Sequence, residues 1–166
     1  MKIICSIILA VLANYSFAQK QGNNWYFGEE AAVTFNSGNP VAIGKSGMSA
    51  TYGCASISSI TGKLLFYTNG NDVWDSTNRI MPNGRQLKGN HFFSVQSALI
   101  VPWPDSSHLY YIFTPPTFAP TSKGYDTVLY SIINLKLNSG LGDVENGKKN
   151  IVLKNNLSSG KINAVS

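Results

Sequence analysis

The chain has 166 residues, enough for one domain with a sizeable core, and only 13% of them are charged. Thirteen lysines and arginines against eight acids give a net charge of +5, scattered apart from Lys148-Lys149; no clustered basic stripe of the kind that binds nucleic acid is present. Of the two cysteines, Cys5 lies in an N-terminal segment read below as cleaved, which leaves Cys54 alone, with no disulfide framework and no CxxC metal pair.

Residues 1–18 read as a secretory signal peptide. Lys2 supplies the positive start and residues 3–13 an apolar stretch of about eleven residues, too short to cross a hydrocarbon core of about 30 Å as a helix. Ser16 and Ala18 place small residues at the −3 and −1 positions, so cleavage is expected before Gln19. Cys5 lies inside the apolar stretch, without the small-residue context of a lipoprotein cysteine, and no other segment is a transmembrane candidate. Export to the medium or the outer cell surface follows as an expectation.

Residues 19–28 lead into Trp25-Tyr26-Phe27, read as a first strand that closes a ring between the chain ends; an exposed aromatic ligand platform is the alternative. Short strands are expected at residues 31–35 and 40–43 around an Asn36-Ser37-Gly38-Asn39 turn. Gly44-Lys45-Ser46 shares the end of a phosphate-binding loop, but Asn39 stands where that loop needs its first glycine and no helix follows, so it reads as a plain loop.

Residues 54–74 predict three strands in an antiparallel meander: a small-residue strand (54–58), a Thr61-Gly62 turn, an apolar strand (64–67), an Asn69-Gly70 turn and a short strand ending at Trp74. Leu64-Leu65-Phe66-Tyr67 does not alternate. A strand with one wet face alternates, so this sheet is expected to be covered on both faces. Cys54 reads as a buried small hydrophobe, since nothing in the sequence brings His91 or His108 to it as a base. Asn69, Asn71, Asp72 and Asp75 are oxygen-rich. They lack a suitably placed glutamate for Ca²⁺ and read as turn caps.

Residues 79–93 form a loop carrying Arg85, Lys88 and His91, read as an inter-sheet connection and the segment best placed to reach solvent. Ser97-Ala98-Leu99-Ile100-Val101, a turn over 102–108, and Leu109-Tyr110-Tyr111-Ile112-Phe113-Thr114 then echo the earlier meander, with a spacing of 43 residues from Ala55 to Ala98 and 46 from Phe66 to Ile112. A Pro/Thr/Ser loop over 115–124 holds Phe118. A long β-type run follows at 127–137, a turn at 140–143 and a strand at 151–153. A period of about 40–50 residues with several strands per unit is the pattern of a β-propeller blade. The expected fold class is therefore all-β, with antiparallel meander blades of an incomplete β-propeller.

Several motifs carry a resemblance. They are Asn23-Asn24-Trp25-Tyr26-Phe27-Gly28, Phe35-Asn36-Ser37-Gly38-Asn39-Pro40-Val41, Gly53-Cys54-Ala55-Ser56-Ile57-Ser58, Gly62-Lys63-Leu64-Leu65-Phe66-Tyr67-Thr68-Asn69-Gly70 and Val73-Trp74. Ile80-Met81-Pro82-Asn83-Gly84, Gln96-Ser97-Ala98-Leu99-Ile100-Val101-Pro102, Tyr110-Tyr111-Ile112-Phe113-Thr114 and Gly140-Leu141-Gly142-Asp143-Val144 continue it in order. The chain resembles the N-terminal propeller-like region of large secreted or surface proteins of gliding bacteria, which end in a gliding-motility-associated, type IX secretion sorting domain. The resemblance implies further blades and a sorting domain beyond Ser166, with residues 161–166 as the opening strand of another blade. A C-terminally truncated domain over 19–166, about two to three blades, is the expected organisation.

The GxSxG, HExxH and GxGxxG templates are not found, and eight dispersed acids nominate no glycosidase pair. No catalytic, cofactor-binding or metal residue is nominated, no cofactor is expected, and the ligand-binding residues are unknown. The expected function is a non-catalytic binding or scaffolding module at the bacterial cell surface, meeting a glycan or protein ligand. The alternative is a fragment of a carbohydrate-active propeller enzyme whose catalytic residues lie on further blades. Residues 19–166 alone are expected to self-associate, because unclosed blades leave edges and apolar faces open.

Overall fold

The structure, a computed structural model, describes residues 20–89, 96–115, 127–154 and 161–164. The signal-peptide reading, His91, Phe93 and Phe118 lie outside these residues. The described chain is all-β, with three antiparallel sheets and no α-helix.

The first sheet has the order β1 (Asn24–Phe27), β2 (Ala31–Thr34), β3 (Val41–Ala42). The second is the meander β4 (Ala55–Ser58), β5 (Leu64–Thr68), β6 (Val73–Asp75). The third runs β7 (Leu99–Pro102), β8 (Leu109–Thr114), β9 (Val128–Asn134), and the far edge of β9 is shared by β10 (Asp143–Val144) and β11 (Ile151–Lys154). β4 neighbours both β1 and β7, so the first strands of consecutive sheets lie side by side. The two sequence echoes become the strand pairs β4–β5 and β7–β8 of consecutive sheets.

The second sheet is covered on both faces, as the missing alternation in β5 requires. Phe66 and Val73 face one core with Met81, Leu87, Tyr110, Ile112, Ile133 and Val144. Tyr67 and Trp74 face the other with Tyr26, Ala32, Met48 and Ala50. A bulge in the β4–β5 pairing, where Ile57 meets Phe66 and Ser58 already meets Leu64, leaves Leu65 unpaired. That extra residue lets Leu65 and Phe66 join the same core in succession.

Tyr67 holds the centre. Its ring stacks on Tyr26 at 4.4 Å and on Trp74 at 5.5 Å. Its hydroxyl accepts from the Gly47 amide and donates to Asn78 Oδ1, both at 2.9 Å. The small residues of β4 make polar contacts across to the first sheet. Ser56 Oγ donates to the Asn24 carbonyl at 2.7 Å, and Asn24 Nδ2 donates to Ser58 Oγ at 2.8 Å and the Gly62 carbonyl at 2.7 Å. These bonds clasp the inner edges of the first two sheets.

Several expectations are corrected. Trp25-Tyr26-Phe27 does not bridge chain ends: β1 pairs with β2, because the short turn at residues 28–30 lets the chain fold straight back. Ser97 and Ala98 precede β7 rather than opening it. There the backbone is boxed by glycines, and a Cβ on Gly53 would lie 2.2 Å from Ser97 N, on Gly70 2.6 Å and on Gly89 2.7 Å from Ser97 O. β9 ends at Asn134, where the Leu135 amide turns to donate to the His108 carbonyl. Residues 161–164 form no strand; the Gln96 side chain instead holds both backbone groups of Ile162, at 2.7 and 3.0 Å. These corrections aside, the expected all-β class stands, and the three sheets are not closed.

Burial pushes the Tyr67 hydroxyl up to about 12, against the partly offsetting Gly47 bond. The folded state thus keeps a proton that an unfolded tyrosine releases near pH 10, so Tyr67's contribution is intact below about pH 10 and is lost as pH rises through about 12. Alkaline melting with tyrosinate absorbance should show Tyr67 ionising only with unfolding, and Tyr67→Phe should cost about 1–3 kcal/mol at neutral pH through its two orphaned partners. Gly53→Ala should destabilise by at least about 1–3 kcal/mol, since backbone must move, whereas Gly22→Ala, with open space around it, should stay within about 0.5 kcal/mol. Chemical denaturation of both variants checks this.

Candidate binding surface

β8 alternates sharply. Tyr110, Ile112 and Thr114 are buried, while Leu109, Tyr111 and Phe113 are half-buried on the opposite face. Register carries that face sideways: Phe113 sits opposite Leu99 on β7 and Tyr130 on β9, and Tyr111 opposite Val101 and Ile132. Trp103, just past β7, stacks on Tyr111 at 4.7 Å with only 11° between the rings. Tyr111 contacts Phe113 at 5.4 Å and Tyr130 at 5.8 Å. The outer face of the third sheet therefore bears a continuous aromatic file.

The opposite end of the stack has a smaller counterpart. Trp25 is 56% and Phe27 41% exposed, while Tyr26 between them points into the core. The Trp25 ring lies 4.8 Å from Phe35, and its indole N–H donates to the Gly22 carbonyl at 2.8 Å. This strand opens its own sheet and presents two aromatic rings on the face opposite Tyr26.

The loop after β6 is more structural than expected. Residues 79–89 run along β6 as an irregular edge: Met81 N donates to the Val73 carbonyl at 2.9 Å, Val73 N to the Gly84 carbonyl at 2.8 Å and Leu87 N to the Asn71 carbonyl at 2.8 Å. Met81 and Leu87 are buried, although their surroundings show neither a strand nor a helix period. Arg85 and Lys88 are exposed, and Arg85 meets Asp72 at 3.7 Å. On the far side Asn83 donates to Asp143 Oδ1 and the Val144 carbonyl, and Lys149 Nζ donates to Asn83 Oδ1 at 2.8 Å. The segment is a strap across two sheets.

The oxygen-rich cluster closes on the backbone. Asn69 Oδ1 accepts from the Asn71 and Asp72 amides at 2.9 and 2.8 Å, and Asp75 Oδ1 from the Thr77 amide and hydroxyl at 2.7 and 2.6 Å. Among the described residues no three His, Cys, Asp or Glu side chains stand close enough to share a metal ion. Cys54 is half-buried beside the second core, and burial pushes its thiol up, with the Gly28 backbone contact opposing. Gly44-Lys45-Ser46 is a loop in which Lys45 pairs with Glu30 at 3.2 Å. Among the described residues no helix is long and apolar enough to cross a membrane.

No protein-family model, curated protein or solved structure matches the chain.

Adjacent residues of β8 should separate sharply on truncation. Tyr110→Ala removes a buried ring that lies edge-on to Phe66 and should cost about 3–5 kcal/mol. Tyr111→Ala, losing only ring contacts on the outer face, should cost about 1–2 kcal/mol while lowering apolar-dye binding. Equal costs in urea melts would contradict the assignment of faces.

Proposed function

We infer that the chain is an exported, non-catalytic binding or scaffolding module at a bacterial cell surface, the N-terminal part of a larger adhesin-like or gliding-motility-associated protein. Its three sheets are read as successive blades of one propeller. The observation that carries the reading is the second sheet, covered on one face by residues of the first sheet and on the other by residues of the third. The placement of β4 beside both β1 and β7 supports successive blades whose first strands are adjacent. The ordered run of motifs resembling secreted proteins of gliding bacteria supports the cellular setting. The aromatic file then serves as the seat of the next sheet, and ligand contact falls to loops on the rigid scaffold.

The test uses an antibody to an exposed segment such as residues 36–41 on intact cells, medium and cytosol. The expected result is a surface or medium species that starts at Gln19 and exceeds the length of this chain. A cytosolic species retaining Met1 would overturn the reading.

A further inference from the structure

We propose that Asn146 is a site of spontaneous deamidation, and that the fold directs this modification to it while shielding two other Asn-Gly pairs. Asn-Gly occurs at residues 69–70, 83–84 and 146–147. The reaction needs the glycine amide nitrogen to attack the asparagine side-chain carbonyl carbon. The amide proton is lost to base, a C–N bond closes a five-membered succinimide, and ammonia leaves. Water then opens the ring at either carbonyl, giving aspartate or isoaspartate. Glycine following asparagine favours the step because no Cβ crowds the attack. The fold then decides the rate at each pair by freeing or holding the two reacting groups.

At the first pair neither is free. Asn69 is 5% exposed, its Nδ2 donates to the Ser49 carbonyl, and its Oδ1 accepts two backbone amides. The attacking nitrogen, Gly70 N, donates to Thr68 Oγ1 at 2.9 Å. At the second pair Asn83 Nδ2 donates to the Val144 carbonyl, Oδ1 accepts from Lys149, and Gly84 N donates to the Met81 carbonyl at 2.9 Å. Either reaction requires these bonds to open first, which ties its rate to the rare open population.

The third pair sits at the tip of the turn between β10 and β11. Asn146 and Gly147 are both exposed, and Gly147 has φ +69 with open space where a Cβ would stand. Among the described residues no hydrogen bond engages the Asn146 side chain or the Gly147 amide; the turn is closed by the flanking Lys148 amide on the Glu145 carbonyl at 3.0 Å. The product carboxylate lowers the net charge by one and lands between Glu145 and Lys148. The isoaspartate form adds a backbone methylene to the turn that ties the outer edge of the third sheet.

The test is peptide mapping by mass spectrometry of the folded chain and of the chain in denaturant, both held in mildly alkaline buffer. In denaturant all three pairs should convert at comparable rates. In the folded chain Asn146 should convert at least roughly tenfold faster than Asn69 or Asn83, as both Asp and isoAsp, because protected sites react only through local opening. Asn146→Gln should abolish the early acidic charge variant without changing the melt. Equal rates at the three pairs in the folded chain would overturn the proposal. So would an unmodified Asn146 over a period in which the denatured chain converts.

Discussion

Everything in this fold depends on β5 having no wet face. Phe66 and Tyr67 are adjacent in sequence and point in opposite directions, each fully buried in a different core. One strand thus holds two interfaces, and losing its order would release both. Polar satisfaction makes the arrangement specific. The Tyr67 hydroxyl has a donor in Gly47 and an acceptor in Asn78, and the serines of β4 clasp Asn24 on the neighbouring sheet. Apolar burial alone tolerates sliding between sheets, whereas buried hydrogen bonds have one register.

Much of this was legible in the sequence because turn chemistry and strand patterning agreed. Thr61-Gly62 and Asn69-Gly70 mark the two reversals, and both glycines take positive φ. Leu64-Leu65-Phe66-Tyr67 announces two covered faces because nothing polar interrupts it. The bulge at Leu65 left no mark, since an apolar residue suits either side. Residues 79–89 were missed as a sheet edge for a related reason. Their bonds to β6 skip irregularly, so Met81 and Leu87 fall on no period that a strand or a helix would show.

The aromatic file was not legible at all. Tyr110-Tyr111-Ile112-Phe113 looks as doubly buried as Leu64-Leu65-Phe66-Tyr67, yet among the described residues β5 packs into two cores and β8 into one. Composition records that a side chain prefers apolar surroundings; it does not record whether a neighbour is there to provide them. For the same reason the reading of Trp25 as ring-closing failed, because the partner of an edge strand is chosen by the length of the following turn rather than by its own residues.

Ser97 lies where Gly53, Gly70 and Gly89 leave room for backbone and nothing more. Those glycines come from three separate loops of the second sheet, and they form a socket only when that sheet is already in place. Ser97 sits in this socket two residues ahead of β7. Such a joint couples the two sheets through backbone alone, so a side chain added at any of the three glycines would disturb the start of the third sheet as well as the second.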